Sequence, residues 1–130
     1  MSEHDAHTGD ENVFEISDLF CSRQLENGAF PQYMQTRIHQ NYFHVRGTAK
    51  IAEVLSSAIC VAKKNQDVTR EQTYRNALEY ALQWICSMQY TNETMFFIRP
   101  TIRPILHGGF CHDYRNPDAW VDANAHMLLA

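Results

Sequence analysis

Two successive stretches with one apolar period constrain this chain more than anything else in it. From Gly47 to Lys64, Ile51, Val54, Leu55, Ala58, Ile59 and Ala62 recur at helical spacing, while Lys50, Glu53 and Ser57 fall mostly on the other side. From Thr69 to Gln89 the same period continues through Tyr74, Ala77, Leu78, Ala81, Trp84, Ile85 and Met88. Asn65-Gln66-Asp67 between them makes a turn, so the pair reads as a helical hairpin. Lys63 and Lys64 suit the negative end of the first helix dipole, and Thr69 with Gln72 resembles a capping box for the second.

The remaining segments follow from breakers and caps. Residues 1–12, MSEHDAHTGDEN, are polar and acidic without apolar periodicity, which predicts a disordered arm. His4 and His7 on such an arm make no preformed metal site. Val13, Ile16, Leu19 and Phe20 predict a short helix from Val13 to Leu25, with Asp10 or Asn12 as its cap. Asn27-Gly28 and Pro31 then open a loop from Glu26 to Val45. Pro100 and Pro104 rule out a long helix through TNETMFFIRPTIRPIL, which is left irregular. Asn116-Pro117-Asp118 opens a last helix, Ala119 to Ala130, whose apolar face carries Trp120, Ala123, Met127 and Leu128. The chain therefore reads as all-α, with a single helical-hairpin domain over residues 13–130.

Composition narrows the function classes. The chain has 130 residues and 45% hydrophobic content, enough for one modest core. A formal net charge of −4, with 11 basic residues scattered among 15 acidic ones, gives no footprint for a phosphate backbone, so nucleic acid is not expected as a partner. No apolar run approaches the roughly 20 residues needed to span a bilayer, and the acidic start is unlike a signal peptide. The expectation is a cytoplasmic chain that does not engage membranes. Cys21, Cys60, Cys86 and Cys111 form no CxxC pair and read as free thiols. Cys60 and Cys86 lie in apolar helical patterns, which predicts small core residues rather than nucleophiles.

The loops carry a repeat. Asn27-Gly28-Ala29-Phe30-Pro31-Gln32-Tyr33 and His107-Gly108-Gly109-Phe110-Cys111-His112-Asp113-Tyr114 share a glycine, a small residue, a phenylalanine and a following tyrosine. Glycine lets the chain leave a helix end, the phenylalanine plugs the layer between helices, and the polar remainder forms a rim. In this feature the chain resembles the α/α-toroid proteins, the group that includes terpenoid cyclases, protein prenyltransferases and six-hairpin glycosidases and epimerases. WICSMQ at 84–89 followed by GGF at 108–110 is similar to their repeat of a helix, a glutamine and GGF. A full ring needs far more helices than this chain supplies, so the resemblance implies a portion of a larger protein or a subunit that completes its core by self-association. The uncapped ending at His126-Met127-Leu128-Leu129-Ala130 fits the former.

In a toroid the loops at one end line a central cavity, and the resemblance therefore points to particular side chains. Tyr33, Arg37, His39, His112, Tyr114 and Arg115 are the ligand-binding candidates, with His44 and Arg46 beside them. Asp122 and His126, one helical turn apart, share a face and with Asp113 could serve as an acid/base set. The alternative is that Asp122 caps or pairs locally and His126 is a helix-face residue. Cys111, His112, Asp122 and His126 match zinc ligands by residue type but not by spacing, and no CxxC or HExxH frame supports them, so no metal or other cofactor is assigned. No P-loop, dinucleotide fingerprint or nucleophile elbow occurs. Three functions stay open: a structural or ligand-binding helical-repeat portion of a larger protein, a catalytic segment of a carbohydrate- or isoprenoid-active enzyme, and an adaptor for a partner helix. A small molecule or glycan is the ligand class expected.

Overall fold

The computed structural model describes residues 3–31, 43–91, 93, 95 and 99–111, with side chains from residue 9 onward. Among these the chain is all-α, with α1 at Glu3–Arg23, α2 at Val45–Lys64, α3 at Val68–Ser87 and a single-turn α4 at Arg103–Leu106. The isolated antiparallel bridge between Gln89 and Phe110 stands alone, and no strand forms among the described residues. The helix expected over 119–130 lies outside them.

The hairpin of α2 and α3 is the centre of the molecule. Leu55, Ala58, Ile59 and Ala62 of α2 pack with Tyr74, Ala77 and Ala81 of α3 and with Phe30 from the loop. A second cluster joins Val45, Ala49 and Ala52 to Trp84, Ile85 and Ala29. Val54, expected on this face, is instead 39% exposed, because the buried arc turns toward Ala52 and Ala62 and leaves position 54 at its edge. The turn is closed by Asp67 N–H donating to the Ala62 carbonyl at 2.9 Å. Asp67, not Thr69 with Gln72, caps α3: its carboxylate accepts from the Arg70 amide at 3.1 Å, and Thr69 lies within the first turn, accepting at its carbonyl from the Thr73 hydroxyl.

α1 runs alongside α3 in the same direction: Asp18 meets Arg70 and Tyr74, Gln24 meets Ala77, and the Tyr80 hydroxyl donates to the Glu26 carbonyl. It is also longer than the apolar pattern implies. The stretch expected as a disordered arm is helical from Glu3, so Asp10 and Asn12 are interior residues rather than caps. The Asp10 carboxylate is engaged by the turn below, accepting from Asn65 Nδ2 at 2.9 Å with Lys64 Nζ at 3.9 Å. The buried face differs too. Val13, Phe14, Phe20 and Cys21 pack inward around fully buried Ser17, while Ile16 and Leu19 are 49% and 43% exposed. Ser17 reads as polar in sequence, and its small volume is what lets α1 lie close. Its hydroxyl has no hydrogen-bond partner among the described residues, which costs about 1–3 kcal/mol.

Gly28 is required by the same packing. Its φ is +95°, and a Cβ there would run into the Tyr80 carbonyl, 2.9 Å from its carbon. Gly9, inside α1, has nothing within 4 Å. Gly28→Ala should therefore lose at least about 2 kcal/mol of stability, and Gly9→Ala should gain up to about 1 kcal/mol by helix propensity alone. Urea denaturation of the two variants would read this opposition of sign.

Candidate functional site

The end of the bundle that holds the α1 C-terminus, the α2 N-terminus and the α3 C-terminus is built by the two glycine-phenylalanine loops. In the first, Gln24 Nε2 donates to the Gly28 carbonyl and to the Ala77 carbonyl, both at 2.9 Å. Leu25 N–H donates to the Ala29 carbonyl at 2.9 Å, and Phe30 N–H donates to Thr48 Oγ1 at 3.1 Å. In the second, Gln89 Nε2 donates to the Gly108 carbonyl at 2.9 Å. Tyr90 N–H donates to the Gly109 carbonyl at 2.7 Å, and Gly108 N–H donates back to the Tyr90 carbonyl at 2.8 Å. Gly108 has φ +86°, matching Gly28. Each loop thus closes the same way, with a glutamine amide on the carbonyl of a left-handed glycine two residues before a phenylalanine. Phe30 is buried in the first cluster, and half-buried Phe110 packs on the second.

His44, a ligand candidate in sequence, is used structurally. It is 5% exposed and caps α2, its Nδ1 accepting from Gly47 N–H at 2.8 Å. A Cβ on residue 47 would meet the imidazole at 2.9 Å, so glycine there makes room for the cap. Arg46 sits half-buried in the first turn of α2. Tyr33, Arg37 and His39, together with His112, Asp113, Tyr114, Arg115, Asp122 and His126, lie outside the described residues. Of the zinc set only Cys111 is described, half-buried, with its N–H donating to the Met88 carbonyl at 3.1 Å. Among the described residues no group of three or more His, Cys, Asp or Glu could hold a metal ion. No helix among them is long and apolar enough to cross a membrane.

Sequence reasoning missed a polar cluster between α1 and α3. Asp18 accepts from the Tyr74 hydroxyl at 2.6 Å and from Arg70 Nε and Nη2 at 3.2 and 3.1 Å. Arg70 also pairs with Asp67 at 2.9 Å and lies 4.7 Å from the centre of the Phe14 ring. These contacts hold the guanidinium charged beyond its ordinary range, Asp18 contributing first. The bond from the Arg70 amide, then its side chain, holds Asp67 below the usual carboxylate value. Burial, then the bond to Asp18, raises the Tyr74 phenol well above 10.0. A tyrosine in an otherwise apolar helix face, four positions after an arginine, was the available signal.

No family model matches this chain, and no curated protein or solved structure does.

The cysteines correct a sequence expectation. Cys60 and Cys86 are exposed, not core, because each falls on the side of its helix away from the hairpin seam. Cys21 is half-buried against the first cluster, and burial, then the charge of Asp18, pushes its thiol up to about 11. At pH 8 only about a thousandth of it is thiolate. Iodoacetamide followed by peptide mass mapping should label Cys60 and Cys86 long before Cys21.

Tyr74 sets an alkaline limit. A phenol whose folded pKa is raised contributes stability that is fully present below the unfolded value of 10.0 and is lost as pH rises through the folded one. The wild-type chain should lose stability above pH 10 more steeply than Tyr74→Phe, as read by thermal melts across that range.

Proposed function

We propose that this chain is a helical-repeat unit of the α/α-toroid kind, forming a structural and ligand-binding portion of a larger helical array. The observation that carries the reading is the repeated lock: Gln24 on Gly28 and Gln89 on Gly108, each glycine left-handed and each followed by an inward phenylalanine. Two loops with unrelated lengths close by one device, which is what repeated supersecondary units do. Both locks lie at one end of the bundle, and the ligand candidates follow them in the sequence. Pro31 and Phe43 bracket Tyr33, Arg37 and His39; Cys111 precedes His112, Tyr114 and Arg115. Phe43 stacks edge-on against Trp84 with ring centroids 5.6 Å apart, in the cluster that also holds Phe110.

The arginines, tyrosines and histidines carried by these segments suit a small molecule rich in hydroxyl or phosphate oxygens. A sugar oligomer or an isoprenoid diphosphate has that chemistry. Titration with maltohexaose, chitohexaose and farnesyl diphosphate, followed by tryptophan fluorescence, should give a saturable change with one of them. That change should fall at least about tenfold in affinity in Arg37→Ala with the helical circular dichroism unaltered. Silence from all three would remove ligand binding and leave the structural role.

A further inference from the structure

Two surface patches of opposite charge lie outside the core, one on each half of the molecule. The first is a groove of about 400 Å³ between α1 and α3, lined by Glu11, Phe14, Glu15, Asp18 and Arg70. Exposed Glu15 stands there beside Asp18 and Arg70, and that guanidinium is already shared between Asp18 and Asp67. Leu19, one turn beyond Glu15 and 43% exposed, extends the rim with apolar surface.

The second patch is the turn from Arg99 to His107. Pro100 and Pro104 stiffen it, α4 contributes no buried residue, and Ile102 and Ile105 stand 41% and 81% exposed. Arg99 precedes both, Arg103 lies between them, and the stretch contains no acid. Isolated exposed isoleucines are ordinary. Two on one proline-stiffened turn that also carries Arg99 form a basic, apolar knob whose chemistry is the complement of the groove.

The two patches cannot meet within one chain. The groove sits at the start of α3, beside Arg70, whereas the knob joins the other end of α3 through the Gly108 pairing with Tyr90. At 1.5 Å per residue these points are roughly 28 Å apart. We propose that the Arg99–His107 turn of one copy seats in the acidic α1–α3 groove of a second copy of this chain. Ile105 goes against Phe14 and Leu19, and Arg99 toward Glu15. Because donor and acceptor surfaces differ, the contact is head-to-tail and propagates rather than closing as a two-fold dimer. It rests on these surfaces alone and is independent of ligand binding at the rim.

Sedimentation velocity on the full chain tests this. The weight-average mass of the wild type should rise with concentration in low salt and fall back when salt is added. Ile105→Glu in the knob and Glu15→Lys in the groove, both at exposed positions, should each weaken association at least about tenfold while keeping the wild-type circular dichroism. Mixed together, the two variants should form a one-to-one dimer with the wild-type affinity and no larger species, since one retains the groove and the other the knob. A wild type that stays monomeric, variants that assemble as the wild type does, or a mixture that stays monomeric would each overturn the proposal. So would wild-type chain that binds phosphatidylserine vesicles through the turn without self-associating.

Discussion

Everything in this molecule is arranged around the close approach of α2 and α3. Ala58, Ala62, Ala77 and Ala81 occupy one half of the seam, and Ala49 and Ala52 the other, all buried. Alanine costs no rotamer entropy on burial and lets the helix backbones draw together. Larger side chains can then fill the flanks: Leu55, Tyr74 and Phe30 on one side, Trp84, Ile85 and Val45 on the other. α1 takes its place only because that surface exists, and it does so with Ser17 at the point of contact. The orphaned Ser17 hydroxyl is the local cost of this fit, offset by burial of Val13, Phe14, Phe20 and Cys21.

The hairpin was legible in sequence because its period is unbroken and its interruption is short. Tyr74, Ala77, Ala81, Trp84 and Ile85 are all where the pattern puts them. The errors have one origin, since periodicity locates a face but not its width. Val54, Cys60 and Cys86 lie at or beyond the edge of the buried arc, and an edge position is decided by what packs above it. For α1 the failure is sharper. A 3.6-residue period fits both an Ile16-Leu19 face and a Val13-Phe14-Phe20-Cys21 face, and hydropathy favours neither because the second is centred on a serine. The resolving contacts, Asp18 with Tyr74 and Gln24 with Ala77, are more than fifty residues apart in the chain and leave no local trace.

The candidate site divides in the same way. The glycine-phenylalanine repeat was visible, and the structure adds the reason for it: a glutamine amide satisfies the carbonyl that a left-handed glycine turns back toward the helix end. Gln24 lies four residues before its glycine, but Gln89 lies nineteen residues before Gly108. No fixed spacing could have revealed the shared device, and Gln24 was passed over for that reason. The capping role of His44 was hidden on similar grounds. A histidine three residues before glycine gives no sign in sequence that the ring will lie over the backbone as a helix cap.

The two ends of the bundle differ in how they hold polar groups. At the turn end, charge meets charge: Asp10 with Asn65 and Lys64, Asp67 with Arg70, and Asp18 with Arg70 and Tyr74. Such pairs at half-exposed positions fix register more than they add stability. At the loop end, side chains meet the backbone instead: Gln24 and Gln89 donate to glycine carbonyls, while Thr48 Oγ1 and His44 Nδ1 accept from the Phe30 and Gly47 N–H groups. The turn end therefore uses its polar groups to set helix register, and the loop end uses its own to close the backbone of the two glycine turns.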